Sequence, residues 1–406
     1  MKFIHEPPRE TPVAGNYDII VAGGGPSGIA AAVSAARNGA KVLIIEGTGA
    51  LGGMSTNGLV PAFCPTSFGP IDPLIRGLGF EVLQRLEAKD GVGDNGINGW
   101  VAIDAEKLKF VYDEMLDETG IKPLLFSMIS DVVTDGDEIK AVIVENKSGR
   151  QAYTAKTFID CTGDADIAFR AGVPCRKGDE AGSMQATSLC LVIAGVEQNE
   201  FEKWSNYPHS SLQKLRALIA EGRANGELLE REETEFKLMT VMYRRRPGII
   251  CLNFGHIYGI DGTSAENLSR AMKLGRKLAH DFAAYLRKQV PGMANAEIVN
   301  TGSLLGVRET RRIIGDFMLE QDAFFENKRF EDDIAVYNNP IDVHEKSKST
   351  AKNEKNPFQR LSEGIEKVAY GIPFRAMIPQ KIRNLLVAGR SISADRSMQG
   401  TTRVMP

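Results

Sequence analysis

The 406-residue chain has few cysteines, few aromatics and no long apolar run, and each shortage removes a class of protein. Its five cysteines (Cys64, Cys161, Cys175, Cys190 and Cys251) are odd in number and scattered, with no CxxC pair. Neither a disulfide framework nor a metal site is expected from them. No stretch of about 18 apolar residues occurs, so no membrane-spanning helix is expected. Residues 1–10 are charged and proline-bearing, without the apolar centre of a signal peptide, which makes a cytoplasmic location the default. Lysine and arginine form no long block and the formal net charge is −3, so nothing suggests a nucleic-acid surface. With 25% charged and 43% hydrophobic residues, the chain reads as an ordinary globular protein of two or three domains.

What is present is concentrated in residues 17–46. The apolar run Tyr17-Asp18-Ile19-Ile20-Val21-Ala22 suits a buried parallel strand. It is followed by Gly23-Gly24-Gly25-Pro26-Ser27-Gly28, an alanine-rich helical stretch over 29–38, and Gly39 as a stop. A second apolar run, 41–45, ends on Glu46. Gly23 permits a tight turn, Gly25 lets the backbone approach a pyrophosphate, and Gly28 allows close helix–strand packing. The phosphates would face the free N–H groups and positive dipole of the helix N-terminus. Glu46, about 20 residues on, is placed to accept hydrogen bonds from an adenosine ribose and would repel a 2′-phosphate. FAD or NAD is therefore preferred over NADP.

A second glycine-rich, hydroxyl-bearing loop runs from Gly47 through Gly52, Gly53, Met54, Ser55 and Thr56 to Gly58. A bare NAD domain has no use for it, whereas a flavin's ribityl chain must be fed along such backbone; a plain surface loop is the alternative. Periodicity predicts helices over 71–89 and 105–118, a turn at 95–99 and strands over 121–129, 151–157 and 157–161. Residues 131–144 read as a hairpin around Asp135-Gly136-Asp137. The strand ending at Cys161 leads into Thr162-Gly163-Asp164, a close-approach segment suited to the rim of a sheet.

These motifs resemble the two-domain FAD flavoproteins related to glutathione reductase and p-hydroxybenzoate hydroxylase. Within them the chain resembles a bacterial group usually labelled FAD-dependent oxidoreductase, some of whose members are called xanthan-lyase-like. The matching segments are 21–28 with Glu46, 51–56, 158–164, 306–312 and 385–390. The resemblance implies an α/β fold: a three-layer, Rossmann-like FAD domain on a parallel sheet, with an inserted α+β substrate domain carrying a mixed or antiparallel sheet. The FAD domain would comprise 1–172 and 381–406, the cap 173–300 and 316–380, and 301–315 a return segment near the flavin. By the same resemblance, Gly23, Gly25, Ser27, Gly28 and Glu46 hold the ADP half, Gly53, Met54, Ser55 and Thr56 lie along the pyrophosphate and flavin, and Pro26, Gly47 and Gly52 are also expected at the cofactor. Thr162, Gly163 and Asp164 sit beside the adenosine half with the backbone of Ile129 near the adenine, and Gly389 and Arg390 meet the ribityl phosphate. Cys161 stands where alanine is usual and reads as a small buried filler.

In the inserted region, helices are expected over 211–220 and 265–286, and strands over 188–194 and 248–254. His256 follows a strand and either faces the flavin or is a satisfied core histidine. Arg244-Arg245-Arg246 is a solvated surface or an anion site. Arg308, within Gly306-Val307-Arg308-Glu309-Thr310-Arg311-Arg312, either clamps an anionic group or serves a structural ion pair. Arg375 is a third catalytic candidate. Pro340-Ile341-Asp342-Val343-His344 resembles a family motif without suggesting a mechanism, and 345–359 reads as a mobile polar loop. After Arg403-Val404-Met405-Pro406 the family pattern would continue into a small-residue helix aimed at the flavin, so weakened or lost FAD retention is expected if these 406 residues are all there is. The expected function is hydride transfer between a small organic substrate and flavin N5, in a protein that could form homo-oligomers. The alternatives are a non-catalytic flavin-binding subunit and an NAD-dependent dehydrogenase.

Overall fold

A computed structural model describes residues 2–5, 7–64, 67–69, 72–73, 76–95, 100–206, 210–243, 247–348 and 369–405. Strand β1 (Val13–Ala22) lies between β2 (Val42–Ile45) and the strand Gly149–Asp160, parallel to both. Leu385–Val387 extends the parallel array beyond Gly149–Asp160. The hairpin Met128–Asp135 and Glu138–Asn146 completes a six-stranded sheet by antiparallel pairing.

Alternate residues of the parallel strands serve two cores. Val21, Ile44 and Ile159 pack under the helices α1 (Pro26–Arg37), α2 (Gly77–Ala88) and α3 (Ala105–Glu118). Ile20, Leu43 and Phe158 face the hairpin side with Val142 and Val144. A strand buried on both faces must be apolar at successive positions, which is why 19–22 and 42–45 read as unbroken runs.

A second, antiparallel sheet has the order Thr234–Tyr243, Ile250–Ile257, Leu191–Ala194, Glu297–Thr301. The 25-residue helix Ala265–Gln289 covers one face, where Phe254 stacks on Phe282 with ring centroids 4.2 Å apart. The opposite face, carrying Cys190, Thr240 and Asn253, opens on a cavity.

Several elements differ from expectation for local reasons. Helix α1 begins at Pro26 rather than 29, since proline is at home in a first helical turn. The helix expected over 71–89 starts at Gly77. Residues 121–127 form no strand, and only Leu124 bridges to Ile45; Pro123 beside it has no N–H for a ladder. The two strands expected over 151–161 are one, Gly149–Asp160. Thr234–Tyr243 was hidden because register shifts between Glu235 and Leu238 and between Leu238 and Thr240 break its alternation. The short helix Arg396–Thr402, capped by Asp395, is too polar and too brief to announce itself. The turn at 96–99, the run 244–246 and most of the polar stretch 345–359 lie outside the described residues. Among the described residues no helix is long and apolar enough to cross a membrane.

Candidate active site

At the end of β1, Gly23 takes φ +92°, and a Cβ there would stand 2.4 Å from the Cys161 carbonyl oxygen. A Cβ on Gly28 would meet the Gly23 carbonyl oxygen at 1.9 Å, so only glycine lets α1 lie against the turn. Gly25 is different: a Cβ built on it meets nothing within 4 Å. Helix α1 starts there with no side-chain cap and no acid in its first turn. Its first N–H groups are left for a partner from outside the chain, and an anion suits them.

The second glycine loop is tied to the first. Gly52 N–H donates to the Gly24 carbonyl at 2.7 Å, and Gly53 comes up against Gly25. The Ser55 and Thr56 hydroxyls turn inward, donating to the Gly52 and Leu51 carbonyls, while Met54 lines the cavity. Glu46 accepts from the N–H groups of Gly24 (2.7 Å) and Thr48 (2.8 Å) and from the Thr48 hydroxyl (2.7 Å). Its carboxylate thus holds the loop in shape. Gly47 leans on Met128. Arg390 is a brace: it donates to the carbonyls of Gly163 and Val307, each at 2.7 Å, and to Asp164 Oδ1 at 2.6 Å. Gly389, at φ +81°, passes close to Ser27.

A cavity of about 1960 Å³ runs from Gly25, Ser27 and Glu46 past Thr162, Gly163 and Arg390 to Arg308, Asp342 and His344. Of the expected site residues, Gly28, Gly47, Gly52, Thr56, Ile129, His256 and Arg375 are not part of this lining. Ile129 is locked into the hairpin opposite Val144. Arg375 stacks over Phe317 (4.6 Å) and pairs with Asp332 (3.2 Å), its side chain about half exposed. The run Tyr370-Gly371-Ile372-Pro373-Phe374-Arg375 gives no hint of that surface stacking partner.

His256 is fully buried behind the wall rather than in it. Its Nε2 lies 3.0 Å from Nδ1 of His344, and its Nδ1 lies 3.3 Å from the Tyr258 hydroxyl, which donates to Glu235. On the cavity side, His344 Nε2 lies 3.2 Å from Asp342 Oδ1, and Arg403 donates to Asp342 Oδ2 at 2.7 Å. The result is a continuous row: Asp342, His344, His256, Tyr258, Glu235. Burial, reinforced by the Arg308 charge, lowers His344 to about 4, and burial drives His256 well below its ordinary value. Burial works against the Asp342 charge, but His344 and Arg403 together hold its carboxyl below the usual range. Both imidazoles are therefore neutral at neutral pH, each with one donor and one acceptor nitrogen. Burial also lowers Arg308 to about 10, with the Arg403 charge adding to it.

Among the described residues one close-set group of metal-type donors occurs, His256, His344 and Glu345, with ligand atoms within 4.8 Å of one another. The facing ring nitrogens of the two histidines are engaged with each other, which spends the lone pair a metal would use. None of the five cysteines is in a disulfide, and burial pushes the Cys161 thiol up to about 12, so no thiolate is available there at neutral pH. Sequence reasoning reached the Asp342–His344 motif but missed its role. The i, i+2 spacing in an extended segment was the available signal, since it sets two side chains on one side of the backbone.

A Rossmann-type α/β body with an uncapped glycine turn, opening into a side-chain-lined cavity, defines a dinucleotide-dependent enzyme class. Comparison narrows it: residues 18–406 match the model of the FAD dependent oxidoreductase family, and the chain belongs to that family. It is an enzyme, and FAD is its cofactor. The chain is 26% identical to a thiamine thiazole synthase from Methanococcus aeolicus, over 48% of this chain and 68% of that one. It is 31% identical to glutathione reductase from Yarrowia lipolytica over 36% of this chain, spanning about a third (32%) of that relative. A solved structure of p-nitrophenol 4-monooxygenase from Pseudomonas putida aligns with TM-score 0.45 and 11% identity, over 74% of this chain and 70% of that one.

Proposed function

We propose that this enzyme oxidises a small organic substrate by hydride transfer to N5 of FAD, with His344 taking the accompanying proton. The single observation behind this reading is the cavity, which joins the open face of Gly25 to the ring of His344 without a break. The residues suit the cofactor: Gly23, Gly25, Pro26, Ser27 and Gly28 would hold the pyrophosphate against α1, with Glu46 at the ribose end. Residues 53–56 and 162–164 would flank it, and Gly389 and Arg390 would close the far side. In this division 1–172 and 381–406 serve the cofactor, while 173–300 and 316–380 cover the substrate. Bound FAD supplies the acceptor for the two electrons and one proton of the hydride.

The chain's own residues manage the second proton. With Tyr258 donating to Glu235, the row would set the His344 N–H at Nδ1 toward His256 Nε2, leaving Nε2 of a neutral His344 to accept the proton of a substrate hydroxyl as the substrate becomes a carbonyl. The Asp342 carboxylate at 3.2 Å steadies the imidazolium that forms. His256 and Tyr258 extend the row inward, fixing the His344 tautomer from behind. His256 is thus a positioning residue.

The test is anaerobic addition of small hydroxylated compounds, with and without deuterium at the oxidised carbon, while the visible flavin band is watched. Bleaching that slows on deuteration supports hydride transfer. A firmly bound flavin that no donor bleaches favours a non-catalytic flavin-binding subunit instead.

A further inference from the structure

Four polar groups on one wall of the cavity find little or nothing to bind among the described residues. Arg308 is 7% exposed, and among the described residues its guanidinium makes one hydrogen bond, to the Ala186 carbonyl at 2.5 Å. No described carboxylate forms an ion pair with it. Ser188 Oγ, Thr240 Oγ1 and Asn253 Oδ1 are buried with no hydrogen-bond partner among the described residues. All four residues line the same cavity. The sheet gathers them: Thr240 pairs with Asn253 across two strands, and Ser188 bridges Gly306, two residues before Arg308.

Each of these groups has given up water in folding without full replacement. Native interiors leave few such groups, so four on one wall call for a partner from outside. Their chemistry describes it. A guanidinium with free donors takes a planar anion in bidentate fashion. Asn253 Oδ1 needs a donor, and the Ser188 and Thr240 hydroxyls can give or accept. The Asp342 and Glu345 charges, which also act on Arg308, favour a ligand with one negative charge over a phosphate dianion.

We propose that this wall is the substrate subsite, and that the substrate is a hydroxylated carboxylic acid. Its carboxylate binds Arg308, and its hydroxyls bind Ser188, Thr240 and Asn253. Calling the bound molecule a substrate rests on the oxidoreductase reading above, whereas the binding itself does not.

The test uses the flavin-loaded protein, titrated with glycolate and gluconate and with their neutral counterparts ethylene glycol and sorbitol. Perturbation of the visible flavin band and a shift in Tm report binding. The acids are expected to bind and the neutral compounds to bind at least 10-fold more weakly. Arg308→Met should weaken the acids by about 10- to 100-fold. Arg308→Lys should restore part of that loss. Asn253→Leu should weaken gluconate more than glycolate. If Arg308→Met loses its flavin, Arg308→Lys and Asn253→Leu carry the test. The assignment is overturned if neither acid binds, if acids and neutral compounds bind alike, or if neither of those two variants changes acid binding. Acid binding without flavin bleaching upholds the subsite and counts instead against hydride transfer.

Discussion

The two ends of the cavity are built on opposite principles. At the glycine end the backbone does the work: turns, an uncapped helix and carbonyls braced by Arg390 leave a groove with hardly an unmet side chain. At the cap end the side chains do it, and several are held at a cost. Two histidines are kept neutral, and among the described residues one guanidinium forms no ion pair and three oxygens have no hydrogen-bond partner. In the proposed reading one end would receive the cofactor common to the family, and the other a particular substrate. On the function proposed above, backbone shape would mark where the cofactor lies and unsatisfied side chains where the substrate lies.

The same contrast governs what could be read from the sequence. The glycine end is local: β1, the turn, α1 and Glu46 are contiguous, so each residue's conformational demand is visible in its neighbours. Gly28 is needed because of Gly23, five positions away. The cap end is assembled from Arg308, Ser188, Asn253 and His344, which meet only through long-range pairing. His256 was recognised, but its partner His344 is 88 positions away, and nothing local joins them. Arg375 stacks on Phe317 and pairs with Asp332, contacts that nothing in its neighbouring residues announces.

Substitutions at the two ends sharpen the difference. The largest effect is expected from Gly28→Val, which drives a side chain into the Gly23 carbonyl. A loss of about 3 kcal/mol or more and of bound flavin should follow, seen in thermal unfolding and in the flavin-to-protein absorbance ratio. Glu46→Ala removes three loop hydrogen bonds, so FAD should bind about 10- to 100-fold more weakly, measured by titrating the apoprotein. Unchanged affinity would mean that the loop keeps its shape without the carboxylate.

A pH effect belongs to the cap end. His344 titrates at about 4 in the folded protein against an ordinary 6.5. As pH falls below 6.5 the unfolded chain takes up a proton that the folded one refuses, so stability drops, and this contribution is complete near pH 4. The drop should be about 2 kcal/mol and should shrink in His344→Gln, as shown by denaturant unfolding at pH 6.5 and 4.5. An equal drop in both proteins would place the pH dependence elsewhere. The smallest effect should come from Arg375→Ala, which gives up a surface stacking worth under about 1 kcal/mol and should leave flavin content and bleaching rate unchanged. A slowed bleaching rate would return Arg375 to the site.

The most direct measurement of the central claim is the anaerobic rate of flavin bleaching in His344→Gln beside the wild type, at equal flavin content. The account predicts full FAD retention with bleaching slowed by about 100-fold or more, the scale of a lost proton acceptor. Loss of FAD from the variant would deny the separation of the two ends, and bleaching at the wild-type rate would remove His344 from the chemistry.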